Sequence, residues 1–262
     1  MRFIGLDLAW GERNPSGLAA IDRGGNVVAE GIATTEAEIA AFVSAHDAEG
    51  AVLGLDAPLV VRNRTGRRAC EAELQRRYGR AGAGPYPSNL TLLGGAARAM
   101  TLVERLPHPY LTVPVEPLRR AGWWAVEVFP HPALVELGSL GRALRYKRGT
   151  AEERAAGLRR LYDLLAGLET ATPPLRLAPD GLLRSRLGRL DGLRGAARKA
   201  FEDLADAHVC AYVALWWWCY GRSRTLVAGD DAGGAILVPT PGQRSASGQP
   251  RGAVDNERDG SP

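Results

Sequence analysis

Three short apolar runs, far apart in a chain of 262 residues, each carry one acid where a buried strand ordinarily carries none. They are Arg2 to Ala9 around Asp7, Ala51 to Pro58 closing on Asp56, and Trp123 to Phe129 around Glu127. Apolar runs of this length read as strands covered on both faces, and Pro58 and Pro130 stop the second and third. A carboxylate between Leu6 and Leu8 is too costly to desolvate unless a partner offsets the charge. The chain must therefore form a sheet that brings such partners to its strand ends.

The elements around these runs follow from local pattern. After the first strand, Gly17 to Ile21 and Asn26 to Glu30 are strand-like and joined by Asp22-Arg23-Gly24-Gly25, a hairpin signal. Three antiparallel strands are expected at the start. Thr35 and Glu38 have capping-box spacing for a helix over Thr35 to Ala45. The stretch of about 60–122 reads as a basic helical insertion holding Arg62, Arg64, Arg67 and Arg68, a Gly/Pro loop from Arg80 to Asn89, and a further helix to about Leu106. Pro132 to Leu137 starts a short helix, and Thr150 with Glu153 caps another whose Leu158, Leu161, Leu164 and Leu165 keep the helical period. Thr170 to Leu193 has weak periodicity and is expected to be a surface excursion. Ala196 to Tyr220 is the longest helix signal, and Thr225 to Ala228 with Ala235 to Val238 form a terminal hairpin. The expectation is one domain over 1–238 and a disordered tail over 239–262, rich in Gly, Ser, Pro and charge.

Composition narrows the class. With 45% hydrophobic residues the chain can bury a full core, and no apolar run reaches the ~20 residues of a membrane span. A cytoplasmic protein with no membrane partner is expected. Cys70, Cys210 and Cys219 show neither metal-ligand spacing nor a disulfide framework. The net charge of +4 comes mostly from arginine, whose planar fork suits phosphate.

The candidate site gathers Asp7, Asp56, Glu127 and Asp206 as metal ligands, with Asp203 one helical turn before Asp206. Carboxylates on apolar strands suit a hard cation, Mg²⁺ or Mn²⁺, which can activate water against a phosphodiester. Arg64, Arg67 and Arg68 are candidates for phosphate contacts, Tyr86 for base stacking, and Lys147 for neutralising charge near the metal. Plainer alternatives are a solvated helix face for the arginines, for the Tyr86 loop a capping role through Ser88 or Asn89 at the next helix, and an edge-strand role for Glu127. His131 is read as a loop residue and Cys70 as structural. Trp216, Trp217 and Trp218 are read as core.

The segments Gly5-Leu6-Asp7-Leu8-Ala9-Trp10-Gly11, Leu55-Asp56-Ala57-Pro58-Leu59, Arg68-Ala69-Cys70-Glu71, Tyr86-Pro87-Ser88-Asn89, Glu127-Val128-Phe129-Pro130-His131-Pro132 and Asp206-Ala207 resemble, in order and spacing, the domain of unknown function 429 family. The resemblance runs from about Arg2 to Val238. It implies a ribonuclease H-like α/β fold, a mixed sheet of three antiparallel strands followed by parallel ones, flanked by helices. It also implies a nuclease, with acids on the first strand, the fourth strand and a late helix. Asp7, Asp56 and the Asp203/Asp206 pair match that order. Glu127 departs from it, and is either a fourth ligand or a residue that orients Arg or Lys from the insertion. The expected partner is nucleic acid or a nucleotide; junction-type nucleases often work as dimers, which leaves a homodimer open, and the sequence does not set the oligomeric state. The competing expectation is a nucleic-acid-binding module of the same fold with a weak or absent active centre.

Overall fold

Seven strands form one mixed sheet in the order β3-β2-β1-β4-β5-β7-β6 in a computed structural model that describes residues 1–9, 14–112, 116 and 119–242. β1 (Arg2–Asp7), β2 (Ser16–Ile21) and β3 (Val27–Ala33) make an antiparallel meander. The turn forms as its residues dictate, with Asp22 Oδ1 accepting from the amides of Gly24 and Asn26. β4 (Ala51–Leu55) and β5 (Trp123–Val128) then add in parallel to β1. β7 (Gly234–Pro239) continues in parallel on β5, and β6 (Thr225–Asp230) closes the edge as its antiparallel hairpin partner.

Helices cover both faces. α1 (Glu36–Ser44) carries the capping box of Thr35 and Glu38. α2 (Ala69–Tyr78) and α3 (Arg98–Glu104) belong to the segment between β4 and β5. α4 (Pro130–Leu137) starts on a proline, which suits the first helical turn, and α5 (Ala151–Gly167) is capped by Thr150. α6 (Leu182–Leu187) is short, and α7 (Gly195–Tyr220) runs for 26 residues.

α7 is buried along almost its whole length, from Ala200 to Trp218. It lies on the sheet because three strand glycines let it. A Cβ on Gly5 would run into the backbone of Ala207 and Ala211, one on Gly17 into Asp203, and one on Gly54 into Cys210. Close approach of helix and strand backbones at three adjacent strands needs residues without side chains. That contact sets how far Asp203 and Asp206 stand from the strand ends. On the outer side of α7, Leu158, Leu161 and Leu165 from α5 complete the larger core. The opposite face of the sheet packs Ile4, Leu6, Leu53 and Leu55 against Ile39, Val43, Leu102 and Val103 of α1 and α3.

Thr170 to Leu193 differs from a surface excursion. Leu175, Leu183 and Leu190 are almost fully buried in the α7 core, and Val27 N donates to Arg176 O. Leu183 lies in the short α6, Leu190 in a single 3-10 turn and Leu175 in neither helix nor strand, so no one element carries all three and no single period announces them. Trp216, Trp217 and Trp218 are all core residues; Trp216 Nε1 and Trp218 Nε1 donate to the carbonyls of Arg224 and Arg120. β7 extends through Pro239, and Thr240 N still donates to Arg224 O. The tail expectation over 243–262 falls outside the described residues. Among the described residues, no helix is long and apolar enough to cross a membrane.

Candidate metal centre and its cleft

Register places the first two acids together. β1 and β4 pair in parallel with Leu6 opposite Leu55, and the ladder runs one step further, where Asp56 N donates to Leu6 O at 2.9 Å. Asp7 and Asp56 therefore stand side by side at the carboxyl ends of neighbouring strands, on the same pleat face as Gly5 and Gly54. That is the face on which α7 lies. α7 brings Asp206 across from above, and carboxylate oxygens of Asp7, Asp56 and Asp206 lie within 4.8 Å of one another.

Glu127 is not in this group. It pairs with Leu55, so it shares the row of Leu6 and Leu55, one residue out of phase with Asp7 and Asp56. Successive strand residues point to opposite faces, and Glu127 turns away from α7. Both its oxygens are taken by Arg68: Nη1 donates to Oε2 at 2.8 Å and Nη2 to Oε1 at 2.5 Å, and Leu59 N also donates to Oε2. Arg68 in turn donates through Nε to Glu71 and through Nη1 to the carbonyl of Val60. Of the two roles left open for Glu127, the geometry is that of orienting an arginine from the insertion. It also removes Arg68 from the surface, where only 4% of it is exposed.

The electrostatics of the cluster are those of acids lacking compensation. Burial raises Asp7 well above the usual carboxylate range, Lys147 opposes the rise, and Asp56 and Asp206 add to it. Burial likewise pushes Asp56 up to about 7 against the pull of Lys147. Burial works against the Lys147 ammonium, but Asp206 and Asp7 outweigh it and hold that group well above its ordinary value. Lys147 Nζ forms an ion pair with Asp206 and stands 3.9 Å from Asp7 Oδ2. Tyr146 donates its hydroxyl to Asp206 Oδ1 at 2.7 Å. Asp203, also buried, pairs through Oδ1 with Lys199, and burial raises it above the ordinary range.

Buried carboxylate oxygens test whether this donor set fits a cation. Asp7 Oδ2, Asp206 Oδ2 and, beside the set, Asp203 Oδ2 are buried and have no hydrogen-bond partner, although Asp206 Oδ2 is ion-paired with Lys147. Such orphaned acceptors are rare and costly in a folded interior. With all four of Asp7, Asp56, Asp203 and Asp206 ionised, as ligation requires, Lys147 and Lys199 balance two of the charges and two are left. The residual charge equals that of one divalent cation, and an all-carboxylate set suits a hard ion such as Mg²⁺ or Mn²⁺. The residues present therefore fit the metal, with Asp7, Asp56 and Asp206 to hold it.

The cluster lies at the wall of a cleft of about 1230 Å³, which it reaches through Asp56 and Lys147. Arg67, Arg80, Arg142, Arg145, Arg148 and Arg160 line the same cleft and are exposed. Tyr86 also lines it and is 66% exposed, with the Arg148 guanidinium 5.4 Å from its ring centroid. Arg64 is exposed but is not among the cleft's lining residues. His131 lines the cleft beside Tyr146, and burial lowers it to about 4, which keeps the imidazole neutral. Cys70 is buried and its thiol pushed up to about 12 by that burial, which makes it an inert core residue.

Sequence reasoning does not single out Tyr146, Arg142, Arg145, Arg148 or Arg160 as site residues. The dense Arg145-Tyr146-Lys147-Arg148 run is the available signal, but Tyr146 lies outside any helix or strand and no period points to its burial against Asp206.

A family model described as "Protein of unknown function (DUF429)" matches residues 5–232. The chain belongs to the DUF429 family. The match takes in the second half of β1 and all of β2 to β6, and includes every residue of the carboxylate cluster. No curated protein and no solved structure matched this DUF429 chain.

Proposed function

We propose that this DUF429 protein is a divalent-metal-dependent nuclease of ribonuclease H-like fold that hydrolyses phosphodiester bonds. The convergence of Asp7, Asp56 and Asp206, drawn from β1, β4 and α7 to within 4.8 Å at the wall of an arginine-lined cleft, carries this reading. Mg²⁺ or Mn²⁺ held there supplies an activated water and charge for the leaving oxygen. The chain's own residues do the rest. Asp7, Asp56 and Asp206 bind the ion, and Tyr146 fixes the Asp206 carboxylate by its 2.7 Å hydrogen bond. Lys147 holds a positive charge at the cleft wall, where it offsets charge that develops on phosphate oxygens. Asp203 faces Lys199 and the buried end of the cluster, and assists by adding negative charge.

The test is a panel of single- and double-stranded DNA and RNA incubated with Mg²⁺ or Mn²⁺, comparing the protein with Asp7→Asn. Metal-dependent cleavage that the variant loses supports the reading. Cleavage that the variant retains assigns the activity to something other than this centre and ends the proposal.

A further inference from the structure

We infer that the arginine-lined cleft is a groove for single-stranded nucleic acid, with Tyr86 as a stacking platform for an unpaired base. This deepens the nuclease proposal and rests on it for the position of the reacting bond.

Asp206 is fully buried and Asp7 is only 6% exposed, so a phosphodiester reaches them only by descending into the cleft beside Asp56 and Lys147. A strand inside a duplex is held on the surface of a stiff cylinder by its complement. An unpaired strand bends freely and can follow the wall inward.

Size and charge agree with this. The volume of about 1230 Å³ exceeds the ~300–1,000 Å³ of a pocket built for one small ligand, so several linked nucleotide units fit. The lining carries guanidinium groups from two parts of the chain: Arg67 and Arg80 flank α2, while Arg142, Arg145 and Arg148 precede α5 and Arg160 belongs to it; the two parts meet where Ala143 N donates to Ala81 O. Among the described residues, Arg67, Arg80, Arg142 and Arg160 have no acidic partner within ion-pair distance, whereas Arg145 pairs with Glu153. Several unpaired guanidinium groups along one cleft suit a polyanion rather than a single phosphate.

Tyr86 discriminates between strand types. Its ring is mostly exposed at the cleft, in the loop between Gly84 and Asn89, with Arg148 against it. Bases in a duplex already use both faces in stacking, and only an unpaired base has a face to offer an aromatic ring or a guanidinium plane.

The experiment measures binding of 12-residue fluorescein-labelled single-stranded DNA and single-stranded RNA by anisotropy. The same DNA as a blunt duplex is the comparison. The full chain is used in EDTA so that nothing is cleaved. The single strands are expected to bind at least ten-fold more tightly than the duplex. Tyr86→Ala is expected to weaken single-strand binding five-fold or more, from the 1–3 kcal/mol that stacking on an aromatic contributes per base. Arg142→Ala/Arg160→Ala should lower the slope of log affinity against log salt by roughly 0.7 for each phosphate that the groove no longer neutralises. All three side chains are exposed, so circular dichroism should match that of the parent. Equal or tighter duplex binding, no binding of either strand type, or an unchanged Tyr86→Ala overturns the inference. A preference for one of the two single strands identifies the sugar recognised and supports it. Single-strand binding without metal-dependent cleavage keeps the groove and removes the nuclease; cleavage of duplex without single-strand preference does the reverse.

Discussion

Replacing Arg68 by Met tests the internal logic of the insertion. Arg68 is 4% exposed, Glu127 6% and Glu71 1%, and the arginine makes four side-chain hydrogen bonds, two to Glu127, one to Glu71 and one to the Val60 carbonyl. Met retains most of the apolar stem and removes the charge. Glu127 is then left buried, with only Leu59 N as donor. Burial already raises its carboxyl above the usual range even with the Arg68 fork in place. Removing one partner of such a pair costs about 3–5 kcal/mol. With a urea m-value of ~3 kcal/mol/M, that is a fall of roughly 1–1.7 M in the denaturation midpoint. Tryptophan fluorescence follows the transition, since Trp216, Trp217 and Trp218 are all buried in α7. The companion variant Arg68→Met/Glu127→Met removes both charges, and Glu71 keeps the amides of Arg68 and Ser88 as donors. It is expected to recover at least half of the loss. A single-variant cost below about 1 kcal/mol, or a double variant no more stable than the single, would refute the assignment of Glu127 to Arg68.

Three further outcomes are expected. Gly54→Ala drives a Cβ into the Cys210 carbonyl of α7; a cost of about 3 kcal/mol or more and a displaced Asp206 should appear as a lower urea midpoint together with weakened Mn²⁺ binding. Tyr146→Phe frees Asp206 Oδ1 and should reduce Mn²⁺ affinity about ten-fold by calorimetry, with circular dichroism unchanged. In the absence of metal, Asp56, raised from 3.8 to about 7 by burial, binds more protons in the folded than in the unfolded chain across that window. Its contribution to stability therefore falls as pH rises from about 4 to 7 and is flat above, and saturating Mg²⁺ should raise Tm by about 5–10 °C at pH 8 and much less at pH 5.

Much of the fold was legible because it is written in local pattern. Thr35/Glu38, the Asp22 turn and the proline stops each act within a few residues, and each forms as expected. The pairing of Asp7 with Asp56 was legible because neighbouring parallel strands end together. Glu127 was harder, since its face depends on register: Leu55 opposite Glu127 puts it out of phase by one residue, and nothing in Val126-Glu127-Val128 encodes that offset. The buried leucines of 170–193 were hidden for a related reason, because they fall on separate pieces, the longest being the six-residue α6, too short to show a period. The cleft arginines come from the β4-to-β5 segment, the α4-to-α5 segment and α5 itself, which meet only in three dimensions.

The central claim concerns a cation held by three acids from three elements. Titration of Mn²⁺ into the metal-free protein, read by electron paramagnetic resonance of the free ion, tests it without reference to any substrate. Saturable uptake by the parent is expected, with its loss in Asp206→Asn, whose side chain comes from α7 rather than the strands. Absence of uptake by the parent, or uptake by Asp206→Asn equal to the parent's, would contradict it.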